Sequence, residues 1–192
     1  NAPNPEFTFT YSGFKGGDTA ENIDTPPTCS STATTTSPVG SYPITCSGGE
    51  DNNYDFSYVD GTLKITYAET GICYGAPGHQ ILQPINADGS SIFKQKSTVP
   101  AKFRVCDANG VSIGTPGVVS SFRVVQIING TSATEINEPV VSTTPFTEFR
   151  WSDSDQQWIF NINTKNLYAN KTYVYLITLN DGSTIDFTFG LK

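Results

Sequence analysis

Gln157-Trp158-Ile159-Phe160-Asn161-Ile162-Asn163, Tyr173-Val174-Tyr175-Leu176-Ile177-Thr178-Leu179 and Thr184-Ile185-Asp186-Phe187-Thr188-Phe189 decide the fold class. In each run large apolar residues recur at every second position, which is the period of a strand with one face buried. Asn180-Asp181-Gly182-Ser183 joins the last two runs, and Asn, Asp and Gly supply the backbone conformations that a tight hairpin needs. The stretch from Phe146 to Lys192 is therefore antiparallel β, and the rest of the chain is read outward from it.

The composition agrees. Among 192 residues there are 9 Tyr, 12 Phe, 17 Gly and 12 Pro, a profile that favours strands and turns over helices. The length suits one or two domains with cores of their own. The formal net charge is -7, and the Lys and Arg residues are scattered, so no basic face is available to neutralise phosphates and nucleic acid is not an expected partner. No apolar run approaches the ~20 residues of a membrane-spanning helix, so membrane insertion is not expected either. No signal peptide opens the chain, which is therefore expected to be a mature piece.

Four cysteines, Cys29, Cys46, Cys73 and Cys106, occur without any Cys-x-x-Cys spacing and with a single histidine, which disfavours zinc. Three pairings are possible for four cysteines. Pairing within domains, Cys29 with Cys46 and Cys73 with Cys106, is expected, and an oxidising extracellular setting goes with it.

Along the first third, Phe7 to Tyr11, Thr28 to Thr36, Tyr42 to Cys46, Asn53 to Val59 and Thr62 to Thr66 read as short strands separated by Pro and Gly turns. Alternation expects Phe9, Tyr42, Tyr54 and Tyr58 in a first core. Phe103, Phe122, Val124, Trp158, Phe160, Tyr173, Tyr175 and Phe187 are expected in a second.

Pro5-Glu6-Phe7, Tyr11-Ser12-Gly13-Phe14, Gly17-Asp18-Thr19, Ser37-Pro38-Val39-Gly40-Ser41-Tyr42-Pro43-Ile44, Asn53-Tyr54 and Tyr58-Val59-Asp60-Gly61-Thr62-Leu63 together resemble the MBG family of bacterial extracellular immunoglobulin-like repeats over residues 3–66. In that family an opening strand and a Tyr-Gly turn precede the Asn-Pro block. This chain begins Asn1-Ala2-Pro3-Asn4-Pro5, so the resemblance implies a domain, residues 1–67, that lacks its first strand.

Residues 68–84 read as a Gly/Pro-rich linker at the head of a second domain, 68–192. Over 82–192 the chain resembles the PxKF domain, through Pro100-Ala101-Lys102-Phe103, Asp107 to Gly110, Phe149-Arg150-Trp151, Gln157 to Asn161, Thr164 to Leu167, Thr172 to Tyr175 and Asn180 to Ser183 with Phe187 to Leu191. The two resemblances imply tandem immunoglobulin-like β-sandwiches from a long, secreted, repeat-bearing prokaryotic protein, and they supply no catalytic residues.

Candidate chemistry is sparse. His79 has no nucleophile motif beside it. Asp153 with Asp155, and Glu135 with Glu138, could act as paired carboxylates but read as turn residues. Asp51 to Asn53, Asp107 to Gly110 and Asp153 to Asp155 carry oxygen ligands of the kind calcium uses, without the full loop that a calcium site needs. Trp151 and Trp158 could stack on a sugar or enter the core. Asn129-Gly130-Thr131 and Asn170-Lys171-Thr172 are formal N-glycosylation sequons on turn-like segments. Lys102 could join an isopeptide bond or be a solvated strand lysine.

The expected function is that of a non-enzymatic structural module of a secreted or cell-surface protein, a filament, adhesin or stalk, with no cofactor or metal. Its expected partners are other copies of itself or neighbouring repeats, joined by strand donation from the residues before Phe7 or after Phe189. The alternative is a module that binds surface glycans through Trp151 and Trp158. Non-reducing peptide mapping should find Cys29–Cys46 and Cys73–Cys106, closing loops worth about 3–4 kcal/mol each by chain entropy. A cross-domain linkage would overturn that pairing.

Overall fold

β-branched and aromatic side chains fit a pleated, half-buried surface, and wherever they alternate here with polar residues a strand can form if a second strand lies beside it. The computed structural model describes residues 3–69 and 71–192, and the chain falls into two units, Asn1–Thr66 and Tyr67–Lys192. Both are built from antiparallel strand pairs, except that β14 (Thr184–Leu191) and β7 (Ile92–Phe93) of the second unit pair in parallel. Outside the strands, a single-turn 3-10 helix, Ala20–Asn22, is capped by the Thr19 side chain.

The first unit has one sheet, ordered β1 (Thr28–Ser31), β2 (Gly40–Ser47), β3 (Gly61–Ile65). Cys29 lies directly opposite Cys46 across the β1–β2 pair, with Cα atoms 4.0 Å apart, and the two are disulfide-bonded.

The second unit runs β4 (Ile72–Cys73), β5 (Ala76–Pro77), β6 (Ile81–Leu82), β7 (Ile92–Phe93), β8 (Thr98–Phe103), β9 (Val119–Asn129), β10 (Ser132–Pro139), β11 (Arg150–Ser152), β12 (Gln157–Asn163), β13 (Thr172–Leu179), β14 (Thr184–Leu191). One sheet is ordered β10-β9-β13-β14-β7 and another β11-β12-β8-β6, while β4 and β5 form a small ribbon. β13 and β14 bury every second residue: Tyr173, Tyr175, Ile177 and Leu179 from one, Ile185, Phe187, Phe189 and Leu191 from the other. Gly182, at φ +86°, takes the left-handed turn conformation between them.

Rings from the two larger sheets meet at Phe122. Its ring centroid is 5.1 Å from Phe160 of β12 and 5.9 Å from Tyr175 of β13, with Phe149 also at 5.1 Å. The expected second core is therefore a real layer between sheets. Phe122 itself is half-buried, and the other seven residues are buried.

Two readings of the sequence change. Ser132 to Pro139 carries no alternation, being exposed at nearly every position, yet it pairs with β9 across a bulge between Glu135 and Glu138. The pairing is made by backbone groups, so it leaves no trace in the side-chain pattern. Glu135 and Glu138 thus sit on an edge strand rather than in a turn.

The segment read as a linker is likewise built into the second unit. Cys73, Ile81 and Ile85 are buried, β6 pairs with β8, and Cys73 bonds Cys106. Glycines and prolines concealed strands only two residues long.

Tyr67 opens the second unit through Asp181. Its backbone N–H donates to Asp181 Oδ2 at 3.0 Å, and its hydroxyl donates to Asn180 Oδ1 at 2.8 Å. Burial by itself would raise the Asp181 pKa, but hydrogen bonds from Ser183 and Tyr67, with the positive field of His79, hold it below the ordinary carboxylate value. A depressed pKa contributes stability that is present above the unfolded value, about 3.9, and is lost as pH falls through the folded one. Asp181→Ala is expected to cost about 1–3 kcal/mol by leaving the Tyr67 and Ser183 N–H groups unpaired. It should also flatten the loss of second-unit stability below about pH 4, measured by urea melts across pH.

Candidate functional site

The first unit has a half-buried apolar face on its three-stranded sheet and, among its described residues, two strand-patterned runs that join no sheet. Along β2 the side chains of Tyr42, Ile44 and Cys46 are half-buried while Ser41, Pro43, Thr45 and Ser47 are exposed. On β3, Leu63 and Ile65 continue the same face, since Tyr42 pairs with Leu63. Among the described residues of this unit only Ile23, Pro27 and Ala33 are buried outright. A three-stranded sheet with one apolar face is stable only when something packs on that face.

Residues 7–11 and 53–59 carry the strand alternation expected of them but form no strand. Their rings connect them instead. Phe9 meets Tyr11 at 5.3 Å, Tyr11 meets Phe14 at 5.6 Å and Phe56 at 6.4 Å, Phe14 meets Tyr54 at 5.6 Å, and Phe56 stacks with Tyr58 at 6.3 Å. Centroid separations of 4.5–7 Å are those of favourable aromatic pairs.

Polar anchors fix the ends of this array. The Tyr54 hydroxyl donates to Asp18 Oδ2 at 2.6 Å, a bond that raises the phenol pKa, and the Gly49 N–H donates to the Tyr58 hydroxyl at 2.9 Å. The Tyr11 hydroxyl is buried with no hydrogen-bond partner among the described residues. Phe9 is 39% exposed and Tyr58 40%. The expected first core is thus corrected: Tyr42 and Tyr54 are half-buried, while Phe9 and Tyr58 are exposed at the rim. Among the described residues of the unit no second sheet covers them.

Other candidate residues serve the local fold. Trp158 is buried and its indole N–H donates to the Ile113 carbonyl at 2.9 Å. Trp151 is half-buried against it at 5.4 Å, with its N–H donating to Asp153 Oδ1 and its ring against Gly114, where a Cβ would lie 2.3 Å from the indole. The covered Trp158 contributes to the core, so the two indoles do not make an open sugar platform.

Asp51, Asp107, Asp153 and Asp155 each spend carboxylate oxygens on their own turns, accepting from Asn53 N–H, Asn109 N–H, Trp151 Nε1 and the Ser152 hydroxyl respectively. Among the described residues no group of three or more His, Cys, Asp and Glu side chains could hold a metal. His79 is half-buried, donates its backbone N–H to the Arg104 carbonyl at 2.8 Å, and meets no nucleophile in the hydrogen bonds formed. Among the described residues no helix is long and apolar enough to cross a membrane.

An all-β chain built of several sheets is the class that these features define. Residues 1–64 match the MBG domain (YGX type), a structural, non-catalytic kind of extracellular repeat module found in bacteria. No curated protein matches the chain. The two disulfides fit an oxidising compartment.

The aromatic array was visible in the sequence as two alternating runs. Its incomplete burial was not, because alternation reports a face and says nothing about what covers it. Tyr58→Ala is accordingly expected to cost about 1–2 kcal/mol. Phe160→Ala should cost about 3–5 kcal/mol. Urea melts resolving the two units would check the contrast.

Proposed function

We propose that this chain is a structural module of a secreted or cell-surface prokaryotic filament, adhesin or stalk, in which the first unit accepts a β-strand from a neighbouring copy or repeat. One observation carries the reading: among the described residues, 7–11 and 53–59 are strand-patterned and lie outside any sheet, in a unit whose sheet has a half-buried apolar face. An added strand would gain ladder hydrogen bonds from backbone groups and would insert alternate apolar side chains among Phe9, Phe56 and Tyr58. The resemblance of residues 82–192 to PxKF domains, modules of long secreted repeat proteins, supports the same setting.

The source of the strand can be narrowed. The tail after Phe189 is already committed, because Gly190 and Leu191 pair with Ile92 and Phe93 and Leu191 is buried. The residues before Phe7 remain as a donor, although Asn1 and Ala2 lie outside the described residues. Pro3 and Pro5 are two positions apart, so both ring nitrogens would point away from a ladder and leave the N–H groups of Asn4 and Glu6 to face it. Donation of this kind is heterologous and propagates into a fibre unless its geometry closes a ring.

Sedimentation velocity over a concentration series, with electron microscopy of the same samples, tests the proposal. Concentration-dependent association or fibres are expected, and Phe9→Asp combined with Tyr58→Asp should abolish them while the second unit melts as before. A monomer at every concentration whose amides in 7–11 and 53–59 resist hydrogen exchange would sink it, since those strands would then be satisfied within one chain.

A further inference from the structure

The second unit carries a sequon that the assembly reading does not use. Tyr168-Ala169-Asn170-Lys171-Thr172 places a sequon immediately before β13, with Ala169 and Asn170 forming a turn. Asn170 is exposed and adopts φ +59°, a left-handed conformation that Asn tolerates better than most residues. The backbone around it is fixed on both sides. The Asn170 N–H donates to the Leu191 carbonyl at 2.7 Å, and the Tyr168 N–H donates to the Tyr173 hydroxyl at 2.7 Å.

Fixing the backbone leaves two side chains presented to solvent from one turn. The Asn170 carboxamide makes no hydrogen bond among the described residues, and Tyr168, two residues earlier, is 67% exposed. The Lys171 ammonium lies over its ring, 5.6 Å from the centroid. A turn needs neither an exposed Tyr at this position nor a Thr two residues after the Asn. Together, however, they are what glycan attachment uses: a carboxamide, a hydroxyl two residues on, and an aromatic face against which the apolar C–H face of a sugar can stack.

We infer that Asn170 is an N-glycosylation site and that the Tyr168 ring packs against the first sugar. In the attachment step Asn170 Nδ2 attacks the anomeric carbon of a lipid-phosphate-linked oligosaccharide. The new C–N bond forms as the anomeric C–O bond breaks, the lipid phosphate leaves with the bonding pair, and one Nδ2 proton passes to the transferase. No electron transfer is involved.

The other sequon helps to discriminate. Asn129 is exposed at the β9–β10 hairpin, and the pairing of Thr172 with Ile128 brings both sequons to the same end of the five-stranded sheet. Asn129 has Ile127 two residues before it and therefore no stacking partner of this kind. Asn170 is the better-built acceptor.

Glycopeptide mapping of the protein purified from its native source is the test. A glycan mass on the Asn170 peptide is expected, and it should be lost in Thr172→Val, which removes the sequon hydroxyl but keeps a β-branched strand residue. In the glycosylated protein, enzymatic removal of the glycan should lower the second unit's Tm by about 2–4 °C, and by less in Tyr168→Ala. An unmodified Asn170 throughout would overturn the site. An equal Tm change with and without the Tyr168 ring would overturn the stacking.

Discussion

An extended backbone presents an N–H and a C=O at every residue, and each group taken from water needs a partner. That constraint separates the two units. In the second, β13 lies between β9 and β14, both edges of this strand are satisfied, and the side chains on its inner face can be buried without leaving polar groups stranded. Among the described residues of the first, β2 is the only strand with a neighbour on each side. The runs at 7–11 and 53–59 have the side chains of strands and remain outside the ladder.

The disulfides compensate differently in the two units. Cys29–Cys46 ties together a strand pair whose apolar face is poorly covered, where burial contributes little and restricting the unfolded chain contributes proportionately more. Cys73–Cys106 instead fastens the segment before β6 to the chain just after β8, next in sequence to the buried Val105. One strengthens an exposed sheet. The other extends a core that already exists.

The strand-accepting surface proposed for the first unit would be distributed rather than concentrated. In that role Phe9, Phe56 and Tyr58 would act together with unpaired backbone groups, as binding residues on an edge strand do. The edge strand β10 offers a contrast, since a bulge, Glu135, Glu138 and Pro139 all discourage pairing there. The fold thus guards one edge with charge and irregularity and leaves strand-patterned backbone unpaired elsewhere.

By itself the sequence determined the β class, the strands at 157–163, 173–179 and 184–189, and the faces on which their aromatics lie, because alternation and turn chemistry are local properties. It also marked the Cys29–Cys46 pairing, since two short runs around one turn can place only certain residues opposite each other. Only the tertiary structure decided that 132–139 is a strand, that 68–84 belongs to a core, that Trp158 is covered, and that Phe9 and Tyr58 are not. Pairing and coverage depend on residues far away in the chain, and no local pattern of side chains records whether a distant partner arrives.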